Sequence, residues 1–248
     1  MNKNFIENIN LYKFQQTDST NLRAREYILS GGHLPALFVA DEQTAGRGRR
    51  GKNFYSPKDS GLYMSLALSV SDPFKNFDLL TVSVSVALIK TLLPLTKKGL
   101  SIKWVNDILA DGEKAAGILC EFVTNPEKRF NDAVVIGIGV NLSTSVFPDS
   151  IEQAVTSLEI YDVNNLSLAK DIAINIFKVL ECDKAEILKT YREYSAVIGQ
   201  EIYYFLNGKR IDAICLDIDE NGGLVVGHTD QKKVTLTSGE ITLRIKSH

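Results

Sequence analysis

Seven residues, Gly46-Arg47-Gly48-Arg49-Arg50-Gly51-Lys52, limit the architecture of this chain more than any other stretch. Three glycines and four cations in a row cannot fill the interior of a helix or a strand, because glycine weakens both. No acidic residue from Gln43 to Lys58 neutralises the charge. The segment must therefore be a connection, and the apolar runs on either side of it, Ala36–Ala40 and Leu62–Val70, read as strands. Glycine allows close backbone approach to a ligand, and arginine presents a planar fork of donors suited to phosphate or carboxylate oxygens. The segment reads as a cover over a small anionic ligand. The plainer readings are a solvated basic turn or a fragment of an RNA-binding Arg-Gly segment. A net charge of −2 over 248 residues makes the basic loop a local feature, which favours a compact anion over a polymer.

The rest of the chain alternates short apolar runs with helical patterns. Leu11–Phe14 reads as a strand, and Asp18-Ser19-Thr20-Asn21 offers N-cap chemistry for a helix through Leu29, with Gly31-Gly32 as its stop. Phe77–Leu93 has helical periodicity and ends at Pro94. Leu100–Trp104 reads as a strand, and Asp111-Gly112 predicts a hairpin pairing Ile108-Leu109 with a strand from Ala115 to Val123. Ala133–Val140 is a buried strand carrying Gly137 and Gly139, and Leu166–Tyr194 reads as helix in two pieces. After Ile198 come short strands with turn signals: Ile202–Leu206, Arg210–Asp217, Leu224–Val226, Val234–Thr237 and Ile241–Ile245. Their spacing predicts a small barrel, with a boundary at residue 197. Alternation is too loose for a doubly wound nucleotide fold, and neither a G-x-x-x-x-G-K-[ST] nor a strand–G-x-G-x-x-G–helix pattern is present.

Composition excludes several classes. Cys120, Cys182 and Cys215 are odd in number and widely spaced, with Cys120 and Cys215 in apolar runs, as in a reducing cytoplasm. His33, His228 and His248 form no zinc-like cluster. The polar N-terminus is neither a signal nor a transit peptide, and the richest apolar run, Val82–Leu95, is broken by Ser83, Ser85, Lys90, Thr91 and Pro94, so no membrane partner is expected.

Four segments carry the chemistry: Asp18-Ser19-Thr20-Asn21; Gln43 with the loop Gly46–Gly51; Lys103-Trp104-Val105-Asn106-Asp107; and Lys114-Ala115-Ala116-Gly117-Ile118-Leu119, with Asn141 a fifth candidate. Taken in this order they resemble the biotin–protein ligases. The resemblance runs from Asp18 to Asn141 and resumes at Gly239-Glu240-Ile241-Thr242-Leu243-Arg244. It implies an α+β fold, with a mixed-sheet catalytic domain with helices over 1–196 and a small SH3-like β-barrel over 197–248. It also implies an enzyme that uses ATP and Mg²⁺ to activate biotin as biotinyl-5′-AMP and then acylates one lysine of a biotin carboxyl carrier domain. By position Ser19, Thr20, Asn21 and Gln43 match biotin-contacting residues, as a ureido ring with one acceptor and two donors requires. Arg47, Gly48 and Arg49 match the adenylate-binding loop, and Lys114 matches a lysine near the biotin carboxylate and α-phosphate, where charge grows on pyrophosphate. Lys114 and Arg49 are the catalytic candidates. Lys103, Asn106, Asp107, Asn141 and Arg244 are further candidates. Asp107 is either an aid to deprotonating the acceptor lysine or an Asx-type turn residue, and Arg244 is a site residue or an exposed strand arginine. No metal cage is readable.

Two positions depart from the family pattern. Val105 stands where proline is usual, a loss of rigidity more than geometry, and Phe54 stands where a tryptophan is common. The few residues before the first strand are too short for the DNA-binding domain that some members carry, so no DNA partner is expected. A homodimer remains open. The nearest rival is a lipoate–protein ligase, which shares the adenylation chemistry but needs no Ser-Thr-Asn and Gln43 set. A non-enzymatic small-ligand or RNA-binding module would leave Lys103 and Lys114 unexplained.

Overall fold

Period-two alternation builds a seven-stranded sheet with two different faces. The computed structural model describes residues 9–70, 76–124, 133–151, 153–206, 208–228, 232–237 and 242–245. Strands β1 (Asn10–Phe14), β2 (Ala36–Ala40), β3 (Gly61–Ser69), β4 (Leu100–Lys103), β5 (Asp107–Ala110), β6 (Glu113–Val123) and β7 (Ala133–Asn141) lie in the order β1-β2-β3-β7-β6-β5-β4. Only β1 and β2 run parallel; the other neighbours are antiparallel, so the sheet is mixed as expected. The Asp111-Gly112 turn has φ of 50° and 87°, the double positive φ that a two-residue hairpin needs. Because that turn is so short, β6 starts at Glu113 rather than Ala115.

On β7, Val134, Ile136, Ile138 and Val140 enter the main core, while Ala133 and Val135 join a smaller cluster on the opposite face. Helix α1 (Thr20–Leu29) covers that second face with Ala24 and Ile28. The main core is closed by α2 (Leu80–Leu92), α3 (Asn165–Leu180) and α4 (Lys184–Glu193), with α2 packed on both other helices and on β4–β6. The predicted two-piece helix thus forms. The helical run Phe77–Leu95 is long and apolar enough to cross a membrane by length and composition, contrary to the sequence-based expectation. It is 67% buried, as the central helix of a core would be.

Five further strands, β8 (Glu201–Leu206), β9 (Lys209–Ile218), β10 (Leu224–Gly227), β11 (Lys233–Leu236) and β12 (Thr242–Ile245), form an antiparallel sheet in the order β11-β10-β9-β8-β12, the small barrel-like module expected. Ile241, expected to begin the last strand, lies outside the described residues. The two sheets share one apolar core: Ile202, Tyr204, Cys215, Ile218 and Val226 belong to the same cluster as Trp104, Tyr191 and α2. Trp104 donates its indole N–H to Gly222 O at 2.9 Å, which ties the turn after β4 to the second sheet.

Candidate functional site

The α1 face of the large sheet opens into a cleft where β6 and β7 lack side-chain bulk. Gly117 pairs with Gly139 across β6–β7, and Gly137 pairs with Leu119. A Cβ on Gly139 would collide with the Phe54 ring, and one on Gly137 would collide with the Asn21 carboxamide. Here glycine is required for close approach, not for its torsions. Phe54 therefore lies in the cleft with its ring on the glycine floor, and Asn21 lies flat on Gly137.

One end of the cleft is a polar chain. Ser19, Thr20 and Asn21 are all nearly fully buried at the start of α1. Ser19 takes the N-cap position with φ −157°, yet its hydroxyl makes no cap hydrogen bond. The helix start is held from elsewhere: Gln43 Oε1 accepts from Thr20 N–H at 2.8 Å and lies 3.1 Å from the Thr20 hydroxyl. Gln43 Nε2 donates to Ser56 Oγ at 3.0 Å. The Ser65 hydroxyl, on β3, lies 2.8 Å from Thr20 Oγ1 and 2.6 Å from Asn21 Oδ1. Asn21 Nδ2 donates to Glu121 Oε2 at 2.8 Å. Asp18 accepts from Ser19 N–H at 2.6 Å and pairs with Arg23 at 2.8 Å. Burial pushes the Asp18 carboxyl up, but these partners and the Thr17 hydroxyl outweigh it and hold it below the usual carboxylate range.

The other end carries the cations. The Gly-Arg segment is a hairpin, not an open loop: Gly48 N–H donates to Lys52 O at 2.7 Å, Phe54 N–H to Gly46 O at 2.9 Å, and Arg47 pairs with Asn53. Its tip turns at Arg50 and Gly51, with φ of 58° and 71°. Arg49 donates to Asn106 Oδ1 at 3.0 Å, and burial, then the adjacent Arg50, pull its guanidinium below its ordinary value. Asn106 is oriented by donating Nδ2 to Ile118 O at 3.0 Å. Arg47 stands 3.3 Å from Glu121 Oε1. Lys114 Nζ lies 2.8 Å from Asp107 Oδ1, a close charge pair without hydrogen-bond alignment, with both side chains under one-fifth exposed.

Ser19, Thr20, Asn21, Gln43, Arg47, Gly48, Arg49, Asn106 and Lys114 thus all line one cleft, together with the glycine floor. Asp107 reaches it through Lys114 and opens β5 rather than acting as an Asx turn. Asn141 lines an adjoining recess that shares Phe54 and Lys114 and continues to Tyr55, Phe147 and Val155. Lys103 ends the edge strand β4 and is not among the cleft-lining residues. Arg244 is placed by backbone register alone, opposite Tyr203; its side chain lies outside the described residues. The Trp104–Val105 peptide is cis, a feature of geometry that the valine in place of proline did not announce. The sequence reading missed Glu121, Ser56, Phe147 and Val155. The period-two pattern of β6, which puts Gly117, Leu119 and Glu121 on one face, was the available signal for Glu121. The segment 142–155 carries no motif.

The family model described as "Biotin/lipoate A/B protein ligase family" matches residues 13–141, more than half of the chain. This chain belongs to that family. Among its relatives, the bifunctional ligase/repressor BirA of Bacillus spizizenii is 36% identical over 140 residues, which cover 56% of this chain and 43% of that protein. The chain therefore spans under half the length of that relative. The biotin–[acetyl-CoA-carboxylase] ligase of Mycobacterium tuberculosis is 28% identical over 239 residues, covering 91% of this chain and 86% of that one. The biotin protein ligase of Aquifex aeolicus, solved with biotin and ATP, superposes with a TM-score of 0.80 at 27% identity, over 96% of this chain and 99% of that chain. The fold is that of the ligase family, and the matched span contains every cleft residue named above from Ser19 to Asn141.

Proposed function

We propose that this chain is an ATP-dependent ligase that forms biotinyl-5′-AMP and then biotinylates one lysine of a carboxyl carrier domain, as in acetyl-CoA carboxylase. The observation that carries this reading is the single cleft joining a buried Ser-Thr-Asn polar end to Arg47, Arg49 and Lys114. A neutral ring with a urea group suits the first end, and a carboxylate meeting a triphosphate suits the second. The names of the relatives agree: one is a biotin–[acetyl-CoA-carboxylase] ligase, and the Aquifex structure holds biotin and ATP.

In the first step a biotin carboxylate oxygen attacks the α-phosphorus of ATP, the α–β phosphoanhydride bond breaks, and pyrophosphate leaves with the electron pair. Lys114 and Arg49 offset the repulsion of the two anions and the charge growing on the leaving group. Both must first exchange a protein partner, Asp107 or Asn106, for the ligand. The recess bounded by Tyr55, Phe147 and Val155 takes the nucleoside. In the second step the neutral acceptor amine attacks the acyl carbon, the acyl C–O bond breaks, AMP leaves with the electron pair, and the amine's surplus proton passes to solvent; the anhydride is already activated, so no enzyme nucleophile is needed. Among the described residues no three Asp, Glu, His or Cys side chains gather as a metal cage; Mg²⁺ supplied with ATP would offset phosphate charge beside Lys114 and Arg49.

We assign residues 1–196 and 197–248 to two domains, and propose a cytoplasmic protein with no DNA or membrane partner; the three free cysteines support the cytoplasmic reading, and the net charge of −2 argues against a polyanion. The test is pyrophosphate exchange into ATP with biotin or lipoate, followed by mass spectrometry of a carrier domain. Exchange that depends on biotin, with one modified lysine, is expected. Exchange with lipoate alone assigns a lipoate ligase, and no exchange with either overturns the enzyme reading.

A further inference from the structure

Asn21 is a carboxamide with two nearly isosteric ends, and the cleft must choose which end it presents. Its Oδ1 is the atom that a Cβ on Gly137 would meet first, and both residues line the cleft, so the oxygen rather than the nitrogen lies over the glycine floor. The Ser65 hydroxyl at 2.6 Å cannot make that choice, because a hydroxyl donates or accepts equally well. The Thr20 hydroxyl beside it gives its proton to Gln43 Oε1, offers Ser65 only a lone pair, and makes no contact that would orient Asn21. Glu121 Oε2, at 2.8 Å from Nδ2, is a carboxylate and accepts only. A flipped Asn21 would set its oxygen against that carboxylate. Glu121 sits on the same face of β6 as Gly117, across the sheet from Val135, and its second oxygen is held by Arg47 at 3.3 Å. It is 100 residues from Asn21 in sequence and touches it only in the fold.

We propose that Glu121 is a positioning residue for ligand specificity: by fixing Asn21 with Oδ1 toward the cleft, it makes the site demand a ring N–H donor. This rests on the biotin reading above. Ligands with an N–H at that place gain a hydrogen bond, and those with an oxygen there meet a second oxygen, a rejection stronger than a missing methyl group gives.

The test compares biotin with the two cyclic carbamates in which one or the other ring N–H is replaced by oxygen. Dissociation constants are measured by calorimetry for wild type, Glu121→Gln, and the exchange pair Glu121→Gln with Asn21→Asp. Wild type should prefer biotin over one carbamate by roughly tenfold or more, the size of one buried hydrogen bond. In Glu121→Gln an amide that both donates and accepts faces Asn21, both orientations become open, and the preference should fall to about threefold or less. In the exchange pair the two functional groups trade places: the carboxylate on the helix accepts on both of its oxygens, the carboxamide on the strand supplies the donor, and the preference should return. Glu121→Gln is nearly isosteric, which keeps the fold. Equal weakening of all three ligands, or an unchanged preference in Glu121→Gln, overturns the proposal while leaving the biotin reading intact. Failure of wild type to bind biotin overturns both.

Discussion

Lys114→Ala separates the two tasks of the lysine. In the structure its ammonium sits 2.8 Å from Asp107, with side chains 18% and 17% exposed. Deleting one partner of a fully buried pair costs about 3–5 kcal/mol, mostly from the stranded charge. This pair keeps some solvent and is poorly aligned, so about 1–3 kcal/mol is the appropriate range. At about 2–4 °C per kcal/mol for a chain of this size, the melting temperature should fall by roughly 5 °C. The double variant Lys114→Ala with Asp107→Asn removes the stranded carboxylate and should recover most of that loss. Adenylation should not recover. Removing one preorganised charge from the place where the pyrophosphate charge develops costs about 2.7–4 kcal/mol, on the order of a hundredfold in rate or more, with biotin affinity changed far less. The assay is single-turnover formation of biotinyl-AMP at saturating ATP and biotin, by rapid quench, alongside thermal melts of both variants. Near wild-type adenylation in Lys114→Ala would remove the lysine from the proposed step. Failure of the double variant to regain stability would refute the stranded-charge argument.

Three further outcomes follow from the same geometry. Arg49→Gly should form the adenylate yet release it roughly tenfold to a hundredfold faster, since one charge-assisted contact contributes about 1.5–3 kcal/mol and such losses appear in off-rates; biotin on bystander albumin lysines, mapped by mass spectrometry, reads the leak. The amides of Gly48 and Phe54, which close the basic hairpin, should exchange more slowly with biotin and ATP bound, as an anion offsets the repulsion among four cations; equal exchange with and without ligands counts against the loop closing over an anion. Asp18, held below the usual carboxylate range, contributes stability that is fully present above about pH 3.9 and is lost as pH falls through its lower folded value. Wild type should therefore melt above Asp18→Asn at pH 6, with the gap closing below pH 4 in thermal melts; a gap independent of pH would contradict the assignment.

The sequence alone determined those features whose cause is local. A run of three glycines and four cations has to be a turn, and Asp111-Gly112 has to be a tight hairpin, because backbone torsion and charge repulsion act between neighbours. The apolar periodicities placed the strands and helices within a residue or two, and the motif set from Ser19 to Lys114 named most of the cleft lining. Tertiary structure alone decided how those residues meet. Ser19 reads as a helix cap in isolation, yet Gln43, 23 residues away from Thr20, holds the helix start and leaves Ser19 to the cleft. Asn106 and Asp107 are neighbours in one motif, but one holds Arg49 and the other Lys114, because a turn sends their side chains to different partners. Glu121 belongs to no motif that was singled out, and only the register of β6 against β7, together with the seating of α1 on the glycine floor, brings it to Asn21. Local rules act over a few residues. The orientation of a buried amide depends on which acceptor the fold carries to it, and that acceptor is a hundred residues away.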